Sequence, residues 1–237
     1  MTVNVTLPVF NEEAQLAESV GKLRASLQGH AGFTWELVIA DNGSTDRTLE
    51  VAEQLGRQWL EVSVVHLPER GRGGALKRVW ADSSAEILSY MDVDLSTELS
   101  AFPQLIEPLA NGAYDVATGS RLLPASRTTR CRKRELISHA YNRLVRTIFH
   151  TRFSDAQCGF KAITRKAAAE LLPLVEDEAW FFDTELLVWA EQRGYRTLDL
   201  PVRWVEDPDS RVKLVRTAWQ DLSGIRRLRR NLRRDRP

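Results

Sequence analysis

A largely parallel α/β sheet with helices on both faces is the fold class that this 237-residue sequence predicts. Strand-like and helix-like patterns alternate through residues 1–100, and repeated β-α units place successive strands side by side and parallel. Three polar segments, "PVFNEE", "ADNGSTD" and "DVDLST", fall where strand-like runs end. Ligands of such sheets bind beyond the carboxyl ends of the strands, so these segments mark the expected site.

Taken in order, "VNVTLPVF" is a short apolar run broken by Pro8, and "EEAQLAESVGKLRASL" follows with helical spacing at Leu16, Val20, Leu23 and Leu27. "WELVIAD" reads as a buried strand and "STDRTLEVAEQLGRQW" as the next helix, with Ser44 or Thr45 suited to cap it. "EVSVVHL", "GGALKRVWAD" and "AEILSYMDVD" continue as strand, helix and strand, and Ser96 or Thr97 suits a cap for the helix beyond them. Past residue 100 the rhythm loosens. "DVATGSR" reads as a strand, and residues 134–150 as a basic helix with Ile137, Tyr141, Leu144, Val145 and Ile148 on one side. "DAQCGFKAITR" reads as a strand, "FFDTELLVWAEQRG" as a helix, "TLDLPVRWV" as a late strand and residues 212–232 as a final helix. No internal repeat or low-complexity linker interrupts the chain. One domain over residues 1–211 and a C-terminal helical tail over 212–237 is the expected organisation.

The formal net charge of +1 conceals segregation. Residues 121–152 hold nine Lys/Arg against one Glu, and residues 210–237 hold ten against two Asp. Positive charge gathered in this way suits a polyanionic surface, membrane or nucleic acid. Cys131 and Cys158 form no CxxC pair, which suits a reducing compartment and argues against a zinc site. "MTVNVTLPVF" reads as a strand rather than a cleaved leader, and no apolar run is long enough to span a bilayer. The expectation is a cytoplasmic protein, soluble or peripheral on the cytoplasmic membrane face.

The chemistry concentrates in "DVDLST". Asp92 and Asp94 are two residues apart where an apolar strand is ending, so both carboxylates point the same way. Each disfavours the ionisation of the other unless a cation lies between them. Few, hard oxygen ligands suit Mg²⁺ or Mn²⁺ shared with substrate phosphates, although a solvated strand end would look the same. Asn42, Gly43 and Ser44 are explained by a turn and cap, whereas Asp41 at the ligand edge is not. "PERGRGGALKR" sets three glycines before a helix but lacks both the phosphate-loop and the dinucleotide fingerprints, so a plain turn is the simpler reading.

The segments "LPVFNEE", "IADNGSTDRT", "GRGGALKRV", "YMDVDLST", "ATGSR", "DAQCGFKA", "WFFDTELL" and "PVRWVEDPDSRV" occur in this order. As an ordered set they resemble the inverting family 2 glycosyltransferases of the GT-A fold, in particular the dolichyl-phosphate glucosyltransferase and dolichyl-phosphate mannose synthase branch. The resemblance covers residues 3–213. It implies that Pro8, Phe10, Asn11, Glu12 and Asp41 line the nucleoside pocket, with Glu12 near the ribose and Asp41 near the base. It also implies that Asp92 and Asp94 form a DxD motif, with Asp94 ligating a metal that bridges the donor diphosphate. Arg121, Arg134 and Ser138 would hold an acceptor phosphate, and Arg211 would face the donor phosphates. Ser96 stands where the mannose synthases carry Gln, which leaves a third protein ligand unassigned. The "QCGFK" and "FFDTELL" segments favour the glucosyl branch, hence UDP-glucose over GDP-mannose as donor.

A polyprenyl phosphate acceptor is already anionic, so guanidinium groups can position it without a strong base. A hydroxyl acceptor would need one, and Asp183 or Glu185 of "FFDTELL" are then the candidates. Their alternative is an ordinary helix surface beside Phe182, Leu186 and Trp189. In the tail, Val215, Trp219, Leu222, Ile225 and Leu232 recur at helical spacing, flanked by Arg226, Arg227, Arg229, Arg230, Arg233 and Arg234. Such a basic amphipathic helix can lie on an anionic lipid surface or dock on the core. Nucleic acid is not an expected partner, because no aromatic stacking set accompanies the arginines. The competing classes are a catalytically idle binding module and a nucleotidyltransferase. The filled acidic positions argue against the first, and the absence of a Gly/Arg/Lys-rich amino-terminal signature against the second.

Overall fold

In a computed structural model, which describes residues 1–30, 32–206 and 214–235 with the side chains of 214–219 excepted, a seven-stranded sheet lies between two helical layers. The strands are β1 (Thr2–Val9), β2 (Thr34–Asn42), β3 (Val62–Leu67), β4 (Ile87–Met91), β5 (Val116–Ser120), β7 (Phe160–Thr164) and β8 (Thr197–Pro201), in the order β3-β2-β1-β4-β7-β5-β8. A two-stranded ribbon pairs β6 (Arg127–Thr129) with β9 (Arg203–Val205). The run "TLDLPVRWV" is thus two strands broken at Val202, not one.

Alternation along the strands builds two cores. Leu37 and Ile39 of β2 pack with Val3, Val5 and Leu7 of β1 on one face, under α1 (Leu16–Gln28), α2 (Thr48–Gln58) and α4 (Phe102–Ala110). Val38, Ala40, Leu88 and Tyr90 point to the other face, under α3 (Arg72–Asp82), α5 (Arg132–Phe149), α6 (Arg165–Leu171), α7 (Phe182–Gln192) and α8 (Leu214–Arg234). Side chains of successive strand residues alternate in this way because the pleat has period two.

The sheet is mixed rather than largely parallel throughout. β7 runs antiparallel between β4 and β5, pairing Tyr90 with Lys161 and Met91 with Phe160. The reversal has a use. An antiparallel strand starts at the edge where its parallel neighbours end, so the loop before β7, with Asp155, Cys158 and Gly159, joins the ligand edge.

Three other expectations need correction. Ser44 and Thr45 do not cap α2; the Asp46 carboxylate accepts the Thr48 N–H at 2.9 Å instead. Ser96 and Thr97 make no cap either, since the next helical turn starts after Glu98 without a side-chain bond. On α5 the inward face is Ser138, Asn142, Val145 and Phe149, while Ile137 and Leu144 are exposed together with Leu136. The inward polar pair explains the shift, because Asn142 Oδ1 accepts the Ala156 N–H at 2.8 Å and so docks α5 on the loop before β7.

On α8, Ile225 and Leu228 are buried in the core and Leu232 packs against it, whereas Leu222 is exposed. Val215 and Trp219 lie outside the described side chains. Arg227 turns inward to Asp177 and Glu185, both at 2.9 Å, and Arg226, Arg229, Arg230, Arg233 and Arg234 are exposed. Asp221 is buried on this helix, and Gln157 Nε2 donates to it at 3.3 Å. Burial, then the nearby Asp177 charge, pushes its carboxyl up to about 7. The folded state therefore disfavours the charge: stability is intact below the ordinary carboxylate pKa and is lost as pH rises through about 7. Asp221→Asn should raise the melting temperature by several degrees at pH 8 and leave it unchanged at pH 4. A lower melting temperature at pH 8 would contradict the assignment.

Candidate active site

Parallel pairing of β1 with β2 and β4 brings the three polar segments to one edge, with Val9 opposite Asp41 and Thr6 opposite Tyr90. At one end of that edge, two loops are stitched together. Ser44 Oγ accepts the Asn11 N–H at 3.0 Å, Asn11 Oδ1 accepts the Thr45 N–H at 2.7 Å, and Thr48 Oγ1 accepts the Glu12 N–H at 2.7 Å. These tertiary bonds occupy the groups that local pattern assigned to capping. The Glu12 carboxylate accepts from Gln15 at 2.6 Å, Pro8 is buried in β1, and the Arg70 guanidinium lies 4.0 Å over the Phe10 ring. Asp41 is fully buried, with Oδ2 on His66 Nδ1 at 2.6 Å and Oδ1 without a partner. A buried acceptor without a donor is costly, and this one stands at the end of a strand where ligands bind.

The centre of the edge is the pocket lined by Asp92, Asp94, Leu95, Ser96, Thr97, Gly159 and Trp204. Asp94 Oδ1 accepts the Ser96 N–H at 2.9 Å. Leu95 is held at φ 49°, a conformation that costs a branched side chain about 1 kcal/mol. Strain of this kind persists where surrounding contacts fix it, commonly at functional turns. Gly159 is required by contact: a Cβ there would meet the Asp92 carboxylate at 1.7 Å.

Beneath this pocket lies a charged cluster that sequence pattern does not reveal. Arg72, taken above for part of a plain turn, is buried and bonds Asp92 at 2.7 Å and Asp183 at 2.5 Å. Lys161 is buried in β7, 3.3 Å from Asp183 Oδ1, and Tyr90 donates its hydroxyl to the same carboxylate. Burial opposes each charge, and the opposite charges outweigh it: the Asp183 carboxyl is lowered, and the Arg72 guanidinium is raised well above its ordinary range. Asp183 and Glu185 are thus not on a helix surface, since Phe182–Ala190 of α7 are buried all round. Asp183 bonds Arg72 and Tyr90 and lies beside Lys161, and Arg72 links it to Asp92. Gly73 permits the approach of α3 to α7, because a Cβ there would meet Phe182 Cβ at 2.6 Å.

At the other end, guanidinium groups gather round Trp204. Arg121 bonds the buried Asp155 through Nε at 2.7 Å and Nη2 at 3.0 Å. Burial raises the Asp155 carboxyl, but the Arg121 charge and its hydrogen bonds bring it down to about 2. Arg134 bonds Glu206 at 2.6 Å, and Ser138 accepts from Arg130 at 3.0 Å. Arg121 and Arg130 both lie over the Trp204 ring, at 5.4 and 5.6 Å. Arg211 lies outside the described residues.

Asp92 and Asp94 are chemically suited to a hard divalent ion. Among the described residues no group of three or more His, Cys, Asp or Glu is placed to hold a metal alone. The donor set therefore fits an ion whose remaining ligands come from elsewhere, such as phosphate oxygens and water.

A family model described as glycosyl transferase family 2 matches residues 4–172. Glycosyltransferase AglD of Haloferax volcanii is 39% identical over 216 residues, which are 90% of this chain and 35% of that protein. The chain thus spans about a third of the length of that relative. The dolichyl-phosphate beta-glucosyltransferase of Drosophila melanogaster is 31% identical over 226 residues, covering 90% of this chain and 69% of the relative. In fold, the chain is similar to glucosyl-3-phosphoglycerate synthase of Mycobacterium tuberculosis in complex with UDP. The TM-score is 0.72 and the identity 24%, over 96% of this chain and 80% of the other. The same synthase has been solved with Mn²⁺, UDP and glucosyl-3-phosphoglycerate. The likeness makes the fold here GT-A-like.

Arg72→Met should lower the unfolding free energy by about 3 kcal/mol in urea denaturation, because Asp92 and Asp183 lose a buried counter-charge. A loss below about 1 kcal/mol, the range of an exposed pair, would show that the cluster does not hold the site together.

Proposed function

The chain belongs to glycosyl transferase family 2 and is a glycosyltransferase enzyme, and from that premise we propose that it transfers a hexose, glucose from UDP-glucose, to a polyprenyl phosphate with inversion at the anomeric carbon. One observation carries this reading: the Asp92–Asp94 pocket and the guanidinium group share a wall, Trp204. Carboxylates suited to a metal-bound diphosphate and cations suited to an anionic acceptor meet across one indole. The dolichyl-phosphate beta-glucosyltransferases among the relatives transfer, by name, a glucosyl group to dolichyl phosphate.

On this reading the nucleoside lies along Pro8, Phe10, Asn11 and Glu12, with the unpartnered Asp41 Oδ1 accepting from an N–H on the base edge. Asp92 and Asp94 would hold Mg²⁺ or Mn²⁺, which would supply Lewis-acid stabilisation of the leaving charge. Arg72 and Asp183 act one layer back, fixing the Asp92 carboxylate. Arg121, Arg134 and Ser138 face the acceptor phosphate from the opposite side, and Arg211 is assigned to the donor phosphates. The acceptor oxyanion attacks the anomeric carbon as the diphosphate leaves, so no proton has to be removed and a β-linked product follows from an α-linked donor.

A lipid acceptor agrees with the surface beside it. α5 exposes Leu136, Ile137 and Leu144 among Arg132, Lys133, Arg143 and Arg146, a face that suits an anionic bilayer on the cytoplasmic side. Among the described residues no helix is long and apolar enough to cross a membrane. Exposed arginines on α8 would add to the same attraction.

The test is transfer to a short polyprenyl phosphate with Mn²⁺ or Mg²⁺ across UDP-glucose, GDP-mannose and related donors, with the product followed by mass. Lipid phosphohexose from UDP-glucose is the expected result, and Asp94→Ala should reduce it at least about a hundred-fold with the melting temperature unchanged. Product from GDP-mannose alone would replace the sugar. Transfer confined to hydroxyl acceptors would replace the acceptor, and full activity in Asp94→Ala would remove the metal role.

A further inference from the structure

We propose that Arg130, beside Arg121 and Arg134, supplies buried, uncommitted hydrogen bonds that receive the anionic group of the acceptor. The inference deepens the proposed reaction and rests on its anionic acceptor. It comes from which donors the protein itself uses. Arg121 spends Nε and Nη2 on Asp155, and Arg134 spends Nη1 on Glu206. Arg130 gives only Nη2, to the Ser138 hydroxyl, while Nε and Nη1 are buried with no partner.

Two unpaired N–H groups on one guanidinium, withdrawn from water, form an incomplete site. A planar guanidinium holds its N–H groups in fixed directions, each able to meet a phosphate oxygen. One cation, Arg121, and three carboxylates, Asp155, Glu206 and Glu135, act on it, and none of the three bonds it. Arg121 stands on the same Trp204 ring, and the neighbouring carboxylates Asp155 and Glu206 are already bonded to Arg121 and Arg134. Burial, then the Arg121 charge, lowers the Arg130 pKa, which is the direction expected of a cation awaiting a counter-ion. Placement agrees as well. Trp204 lines the Asp92–Asp94 pocket on one side and an open groove with Arg127, Thr129, Arg203 and Val205 on the other. An anion on Arg130 therefore lies beside the ring that lines the Asp92–Asp94 pocket.

The full chain, saturated with UDP and Mg²⁺, is titrated with inorganic phosphate and followed by ³¹P line broadening, as wild type, Arg130→Gln and Arg130→Lys. The expected result is phosphate binding by wild type, at least a ten-fold loss in Arg130→Gln, a partial loss in Arg130→Lys, and unchanged UDP affinity in all three. The apparent KM for a short polyprenyl phosphate should rise in parallel, with the donor KM unmoved. Equal phosphate binding by wild type and Arg130→Gln overturns the assignment, as do no phosphate binding by wild type and a parallel loss of UDP. If Arg130→Gln does not fold, Arg130→Lys decides alone: a loss of three-fold or more supports the site and no loss overturns it. Failure of the donor reading looks different, since wild type would then bind phosphate but not UDP, and the Arg130 site would stand.

Discussion

The acidic pocket at the ligand edge depends on one buried carboxylate. Asp183 sits at the start of α7 and ties together Arg72 of α3, Lys161 of β7 and Tyr90 of β4. Desolvating these groups costs several kcal/mol per ion, and the cost is offset only when each finds its partners in good geometry. Such a cluster contributes little net stability compared with an apolar core, but it admits one arrangement. That arrangement holds the Arg72 guanidinium under Asp92, while Gly159 leaves the space the carboxylate occupies. The acidic pocket is thereby shaped from below, and β7 has to run antiparallel for Lys161 and Gly159 to reach it.

A segregated charge pattern follows the same edge. Carboxylates gather at the ends of β2 and β4, with Arg72 beneath them, and guanidinium groups gather past β5 around Asp155 and Glu206, with Trp204 between the two sets. Carboxylates at one end suit a hard cation, and guanidinium groups at the other suit an anion.

How much of this was legible in the sequence varied with the range of the interaction. Asp41, Asp92 and Asp94 could be read because a strand has period two and its end is marked by the loss of apolar residues. The alternation of strands and helices through residue 100 was equally local, and it stands. Arg72 was not legible, because its partner Asp183 is 111 residues away and nothing nearby announces it. Ser44 and Thr45 were misread as caps because their partner, Asn11, lies on another strand end. The inward face of α5 shifted for a related reason: Ser138 and Asn142 face inward to bond other segments, and a hydrophobic periodicity count scores them as surface. Arg130 is one of several arginines in its stretch, and its buried, unpartnered Nε and Nη1 distinguish it.

The central claim is that the divalent ion is shared, with Asp92 and Asp94 supplying part of its shell and the donor diphosphate the rest. Manganese binding to the full chain, measured from the free-ion electron paramagnetic resonance signal with and without UDP, tests it most directly. Because Arg72 already engages one Asp92 oxygen and no third ligand cluster stands among the described residues, Mn²⁺ should bind weakly alone and at least about ten-fold more tightly with UDP, equivalent to about 1.4 kcal/mol of coupling. Tight binding without nucleotide, or affinity that UDP leaves unchanged, would contradict the shared site.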